Sequence, residues 1–271
     1  MVLAPAPSLD DRPADDSTLA EASLLLRLKP AELSRALALA QTLPVARVPT
    51  QEEAAAIVDG LRGLRIEGAI IPNGDLQMEL SSTKIRALVC SDDSLTAVPA
   101  SGGGTSVSVG WGEVTLLVTG RLLSNRVEVE ERNRRRGKQT VDSRQFTSDE
   151  AVLDIYAKTQ PANWRIVAGN FDFSCLGPAR SVTTFQNFTA LINFLRERAS
   201  LARFDDSYLR ARPLLESLWP PEQQMRKGEL QRRGLSKFDS ATVTTTDNEA
   251  QFTRYSRLKH CLRMRVLEEG K

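Results

Sequence analysis

The chain has 271 residues, 41% hydrophobic and 26% charged, which is enough for one large domain or two small ones with buried cores. Its formal net charge of +2 excludes a strong overall attraction to nucleic acid or to membrane surfaces. No apolar run approaches the roughly 18 residues of a membrane-spanning helix, and the N-terminus lacks the blocks of a secretory signal.

The cysteines predict an intracellular protein without disulfides or structural zinc. Cys90, Cys175 and Cys261 are odd in number, far apart along the chain and free of any C-x-x-C spacing. A reducing cytoplasm is therefore the expected compartment.

The N-terminal part of the chain predicts a tail, helices and a βαβ unit. Residues 1–17 are rich in Ala, Pro and Asp, a composition typical of disorder. Residues 18–80 contain two amphipathic helical patterns and then a strand–helix–strand pattern, whose helix begins at a Thr50–Glu53 capping box. The βαβ unit is similar to half of a ferredoxin-like sensing domain.

Residues 84–199 predict several strands followed by one helix. "KIRALVCSDDSLTAV" is a hairpin pattern, and "VGWGEVTLLVTG", "AVLDIYAK" and "WRIVAGNFDF" are further strand patterns. The helix has a stripe of apolar residues at Phe185, Phe188, Leu191, Ile192 and Leu195. This order resembles a bacterial PH-like domain, in which a bent antiparallel sheet is capped by a C-terminal helix. The resemblance implies an α+β fold that serves as a scaffold.

The stretch "NWRIVAGNFDFSCLG", residues 163–177, allows either a nucleophile or a buried strand. Ser174 lacks the glycines two residues before and after it that a nucleophile elbow requires. Cys175 would need a base, and the only histidine is His260, which we predict on a solvated helix face. We therefore favour a strand that turns three side chains towards the core: Phe171, Phe173 and Cys175.

Residues 200–271 predict a helical and polar C-terminal extension. Two helical patterns flank residues 220–246, which are polar and contain few large apolar groups. We expect this middle segment to be an irregular or extended arm.

A dense basic cluster is the main candidate binding site. Five basic residues fall within seven positions: Arg132, Arg134, Arg135, Arg136 and Lys138. They can bind phosphate or an acidic partner, or they can form a solvated hairpin tip that protects a sheet edge from aggregation. A second basic set lies in the polar arm: Arg226, Lys227, Arg232 and Arg233. If both sets meet in space, the binding hypothesis is favoured.

No sequence pattern predicts a catalytic, cofactor-binding or metal-binding residue. "SGGGTS" lacks the Gly-Lys-Ser/Thr and the following helix of a phosphate loop. We expect a non-catalytic scaffold that binds another protein in the cytoplasm. The alternative is a protein that binds a phosphate-bearing ligand, such as a peripheral anionic lipid surface or a nucleic acid, through Arg132–Lys138. Nucleic acid is the less favoured of these ligands because no exposed aromatics alternate with the basic residues. An enzyme is the third hypothesis.

Overall fold

The computed structural model describes residues 2–5, 15–39, 41–102, 104–133, 139–159, 163–230 and 239–269. The fold is mixed α+β, with one large curled sheet, a second sheet of three strands, and helices. The strands are β1 Val2–Pro5, β2 Ala46–Arg47, β3 Gly68–Ile71, β4 Thr83–Cys90, β5 Ser94–Pro99, β6 Val107–Gly110, β7 Val114–Asn133, β8 Gln139–Ala157, β9 Trp164–Val167, β10 Arg203–Asp205, β11 Glu222–Leu230 and β12 Asp239–Asp247. The helices are α1 Asp16–Leu26, α2 Pro30–Ala38, α3 Gln51–Gly63, α4 Thr184–Arg198, α5 Tyr208–Leu215 and α6 Glu249–Glu269.

The N-terminal sheet has the order β2-β1-β3, with β1 antiparallel to both neighbours. β2, α3 and β3 form the predicted βαβ unit, and Thr50 accepts a hydrogen bond from the Glu53 N–H at 3.1 Å. Residues Val2–Pro5 were expected in a disordered tail and instead form the middle strand. Their composition carries no sign of this, because β1 exists through backbone pairing with strands more than 40 residues away.

The large sheet has the order β11-β12-β7-β8-β9-β4-β5-β6, and β10 lies beside the first part of β7. The predicted hairpin is confirmed as β4–β5. The prediction of a purely antiparallel sheet is wrong, because β4 is parallel to β9 and β10 is parallel to β7. Each parallel contact joins strands separated by long connections that run through other elements, and such connections permit parallel pairing.

The centre of this sheet is buried on both faces. Alternate residues of β7 point to opposite faces, so Leu117 belongs to one core while Leu116 and Val118 belong to another. The first core includes α4, and the second includes α5, α6 and part of the N-terminal unit. A third core lies among α1, α2 and α3.

The helix predicted to cap the sheet is α4, and it contributes Phe188, Leu191 and Leu195 to the first core. Phe185 was also placed on its buried stripe, but its side chain is 73% exposed. It lies in the first turn of the helix, where Asn187 instead binds back to the chain: its side chain accepts from the Ser181 N–H at 2.6 Å and donates to the Ser181 carbonyl at 2.9 Å.

The stretch 163–177 departs from the predicted strand. β9 ends at Val167, and the chain continues in 3₁₀ turns at Ala168–Asn170 and Phe173–Ala179. The Asp172 carboxylate accepts from the Ser174 N–H at 3.0 Å and so caps the second turn. Phe171 and Phe173 are nevertheless buried, with ring centroids 5.0 Å apart, and Cys175 is half-buried.

The C-terminal region is part of the main fold rather than an extension. Residues 220–246 were expected as an irregular or extended arm, but most of the described part lies in β11 and β12, which pair with each other, and β12 also pairs with β7. Helix α6 buries Phe252, Tyr255 and Leu258 in the second core. These strands were not predicted because their residues are mostly polar, as expected for strands whose side chains remain exposed to water.

Candidate functional site

Two long hairpins, β7–β8 and β11–β12, run side by side beyond the buried centre of the sheet. We call their outer parts the ribbon and the rest of the protein the body. The ribbon comprises residues 124–133, 139–148, 222–230 and 239–247. None of the ribbon side chains that the structure describes belongs to a buried core. The ribbon is therefore a four-stranded surface whose described side chains lie outside the three cores.

The strand register brings the far ends of both hairpins together. Asn133 pairs with Gln139 at the end of β7–β8, and Leu230 pairs with Asp239 at the end of β11–β12. Ser240, the next residue of β12, pairs with Glu131 of β7. Because adjacent strands lie about 4.8 Å apart, the two hairpins end next to each other.

The predicted basic cluster connects these strand ends in sequence. Arg132 is the penultimate residue of β7 and lies opposite Thr140. The other four members lie outside the described residues: Arg134, Arg135, Arg136 and Lys138. Of the second basic set, Arg226 and Lys227 are in β11, while Arg232 and Arg233 also lie outside the described residues.

Although the net charge of the whole chain is near zero, its basic residues are unevenly distributed along the sequence. Residues 132–138 contain five basic side chains and residues 230–238 contain three, and neither segment contains an acidic one. Without these eight, 28 Lys and Arg remain against 34 Asp and Glu, so the rest of the chain carries a net charge of −6. Positive charge is thus concentrated in the two sequence segments that connect these neighbouring strand ends, and such concentrations of charge govern encounter with acidic partners.

The ribbon also presents charge along its strands. One row across the four strands contains Arg226, Val243, Glu128 and Arg144, and the neighbouring row on the same face contains Arg126 and Phe146. Arg126 and Glu128 form an ion pair at 2.5 Å. Arg144 and Arg226 are exposed.

Each side of the ribbon has an open strand edge. Among the described residues, β11 pairs only with β12, and residues 139–148 of β8 pair only with β7. Each edge strand has an exposed apolar side chain, Met225 at 62% and Phe146 at 52% exposure. Open backbone groups beside apolar side chains suit the addition of an extended peptide strand.

The base of the ribbon is fixed to the body by Asn248, which precedes α6. Its side chain accepts from the Leu123 N–H at 2.7 Å and donates to the Arg121 carbonyl at 3.0 Å and to the Tyr208 hydroxyl at 2.9 Å. Arg121 also binds the Asp149 carboxylate at 2.6 Å, and this hydrogen bond raises the pKa of the guanidinium. The ribbon thus starts from a rigid base.

A buried ion pair lies between the sheet and α6. Arg165 binds both carboxylate oxygens of Asp154, at 2.7 and 2.8 Å, and also contacts Glu249 and Thr253 of α6. Burial is the strongest single effect and favours the neutral guanidine, but the charge of Asp154, its hydrogen bonds with the guanidinium and the charge of Glu249 together outweigh burial and raise the pKa of Arg165. The sequence analysis did not predict this ion pair. A pattern that could have indicated it is the single charged residue in each of two otherwise apolar segments, Asp154 in β8 and Arg165 in β9.

A second polar cluster joins β10 to α6. The Asp205 carboxylate accepts from the Tyr255 hydroxyl at 2.7 Å and the Ser207 hydroxyl at 2.8 Å, and it pairs with Lys259 at 3.4 Å. Burial opposes ionisation of Asp205, yet Lys259 and the two hydroxyls lower its pKa. Each of these polar groups has a hydrogen-bond or ion-pair partner within the cluster, so the cluster stabilises the position of α6.

The residues considered for catalysis do not form a catalytic arrangement in the part of the chain that the structure describes. The Ser174 hydroxyl donates to Asp172, two residues away, at 3.0 Å. His260 was predicted on a solvated face, but its ring stacks on Tyr156 with centroids 4.3 Å apart. Burial and the charge of Arg257 lower the pKa of His260 to about 4.

The described ranges contain no group of three or more His, Cys, Asp or Glu side chains arranged to hold a metal ion. Within the same ranges, no helix combines the length and apolar character needed to cross a bilayer. No family model matches the chain, and no curated protein or solved structure matches it significantly. The PH-like resemblance therefore stays a prediction.

Proposed function

We propose that this chain is a non-catalytic binding protein whose ribbon holds an acidic partner protein in the cytoplasm. The observation that carries the proposal is the register of the ribbon, in which Glu131 pairs with Ser240. This register brings together the strand ends that flank two basic segments far apart in sequence. The sequence favours binding over a solvated tip if the two basic sets meet in space, and the neighbouring strand ends that flank both sets support this proposal.

A protein partner is favoured over a phosphate-bearing one by the edges of the ribbon. Open backbone donors and acceptors on β8 and β11 can pair with an extended peptide, and Phe146 and Met225 offer it apolar contacts. A phosphate group uses neither feature. A partner with an extended acidic segment uses the edge, the apolar side chains and the basic ends together.

Binding of a phosphate-bearing ligand is the second candidate. The observation in its favour is that no acidic residue interrupts residues 132–138 or 230–238. Several guanidinium groups without internal counterions suit convergent contacts to phosphate oxygens. The PH-like resemblance of residues 84–199 is compatible with both candidates, and we retain it as a proposal about the fold alone.

The test compares two triple variants of the full chain. The first is Arg134→Ser, Arg135→Ser and Arg136→Ser; the matched control is Arg35→Ser, Arg47→Ser and Arg62→Ser, which removes three exposed arginines of the body. Fluorescence anisotropy measures binding to a poly-glutamate peptide, a single-stranded oligonucleotide and phosphatidylserine vesicles.

We expect the peptide to bind wild type and the control, and the first variant to lose about tenfold or more in affinity, with high salt reproducing the loss. Binding of the oligonucleotide or vesicles, without the peptide, would replace the proposal with the second candidate. If both variants bind the peptide with equal affinity, the basic cluster does not bind the partner and serves only to keep the protein soluble.

A further inference from the structure

Two of the three cysteines are neighbours in the body. Cys90 is the last residue of β4, and Cys175 lies in the 3₁₀ turn Phe173–Ala179. Both side chains are half-buried, and each affects the ionisation of the other. The two positions are 85 residues apart in sequence, so only the fold brings them together.

A short parallel bridge brings the two cysteines near each other. Ala87 pairs with Asp172, whose N–H donates to the Arg86 carbonyl at 2.7 Å. Each cysteine follows its member of the bridged pair by three residues. Both also pack against the first core, which holds the strand end and the turn beside each other.

Either thiol can act as the attacking sulfur. Burial opposes ionisation of both thiols, and a proton shared between them favours ionisation of one at the expense of the other. The thiolate is the reactive form of cysteine. The thiol that ionises attacks, and its neighbour is positioned to react with the oxidised form.

We propose that Cys90 and Cys175 form a redox site that hydrogen peroxide converts into an intramolecular disulfide. One of the two thiolates attacks one peroxide oxygen, the O–O bond breaks, and the departing hydroxide takes up a proton to form water. That cysteine is then a sulfenic acid. The sulfur of the other cysteine attacks the sulfur of the sulfenic acid, the S–S bond forms, the S–O bond breaks, and the hydroxyl leaves as a second water with the proton of the attacking thiol.

The overall reaction is balanced and reversible by thiols. Two thiols and one hydrogen peroxide give one disulfide and two waters, and an external dithiol restores the reduced form by exchange. The site lies in the body, so it does not depend on the proposed binding by the ribbon. Cys261, in α6, is a third thiol within the same chain and serves as an internal reference.

The experiment uses the full chain, with its three cysteines reduced and then exposed to hydrogen peroxide. We expect the number of titratable thiols to fall from three to one, with Cys261 remaining, and dithiothreitol to restore all three. Peptide mapping without reductant should find the Cys90 and Cys175 peptides joined. In Cys90→Ser, dimedone should label a sulfenic acid at Cys175, while Cys261→Ser should still form the disulfide.

Three results would overturn the proposal: three thiols that persist after peroxide treatment, a disulfide that contains Cys261, or overoxidised Cys175 that is never joined to Cys90. If a serine variant fails to fold, the peptide map of the wild-type chain decides between these outcomes.

Discussion

The inner and outer halves of the β7–β8 hairpin share one continuous ladder but have opposite surroundings. In the inner half, Leu117, Val118 and Leu153 are at most 1% exposed, because α4 covers one face and α6 the other. In the outer half, Arg144 and Phe146 are exposed. The inner half stabilises the fold, whereas the outer half depends on its own cross-strand pairs and is free to contact a ligand.

The same substitution in the two regions gives the sharpest contrast. Phe188→Asp places a charge in the first core, where the native side chain is 6% exposed, and we expect it to unfold the body at a cost of about 5 kcal/mol or more. Phe146→Asp in the ribbon should change the free energy of unfolding by about 0.5 kcal/mol or less. Urea unfolding followed by circular dichroism measures both. Similar melting of Phe188→Asp and wild type would show that α4 is not docked.

Breaking the buried ion pair tests the second face of the body. Arg165→Met leaves the Asp154 carboxylate buried and unpaired, and we expect a loss of about 3–5 kcal/mol in the free energy of unfolding. The control is Arg62→Met, which removes an exposed pair with Asp59 and should cost about 1 kcal/mol or less. If the two variants are equally stable, the body does not enclose this pair.

A methyl group in the inner half should also be poorly tolerated. A Cβ at Gly120 would lie 2.5 Å from a ring carbon of Phe252 and 2.9 Å from one of Tyr208. We expect Gly120→Ala to lower the free energy of unfolding by about 1–3 kcal/mol through overpacking. Gly112→Ala, where a Cβ meets no atom within 4 Å, is the matched control. Equal denaturation midpoints for the two variants would contradict the packing of α6 on β7.

The stability of the body should depend on pH through His260. Its pKa is about 4 in the folded state and about 6.5 when unfolded, so the unfolded chain binds the proton more readily. The folded state is therefore favoured by neutral His260: this stabilisation is complete above pH 6.5 and is lost as the pH falls towards 4. We expect the free energy of unfolding to fall by about 1–2 kcal/mol over this range, after allowing for the partial exposure of the ring. Unfolding at several pH values should show this slope in wild type and lose it in His260→Gln. A slope retained in the variant would assign it to other groups.

Local features of the sequence determined the helices and the tight turns. The Thr50 hydroxyl caps α3, Pro30 begins α2, and the "SDDS" segment connects β4 to β5. Each depends on residues within a few positions of one another, so the pattern contains the physical cause. The five-residue basic cluster was also evident, because charge density is a property of composition.

Only the tertiary structure decided which distant segments meet. Three contacts join segments separated by more than 40 residues: the pairing of Val2–Pro5, the parallel contact of β4 with β9, and the Ala87–Asp172 bridge that brings Cys90 near Cys175. The alignment of the two hairpin ends likewise required the register of β12 on β7. Backbone hydrogen bonding between strands is nearly independent of side-chain identity. Which strands pair is decided by the burial of whole sheet and helix faces, so a short sequence pattern does not reveal the partner of a strand.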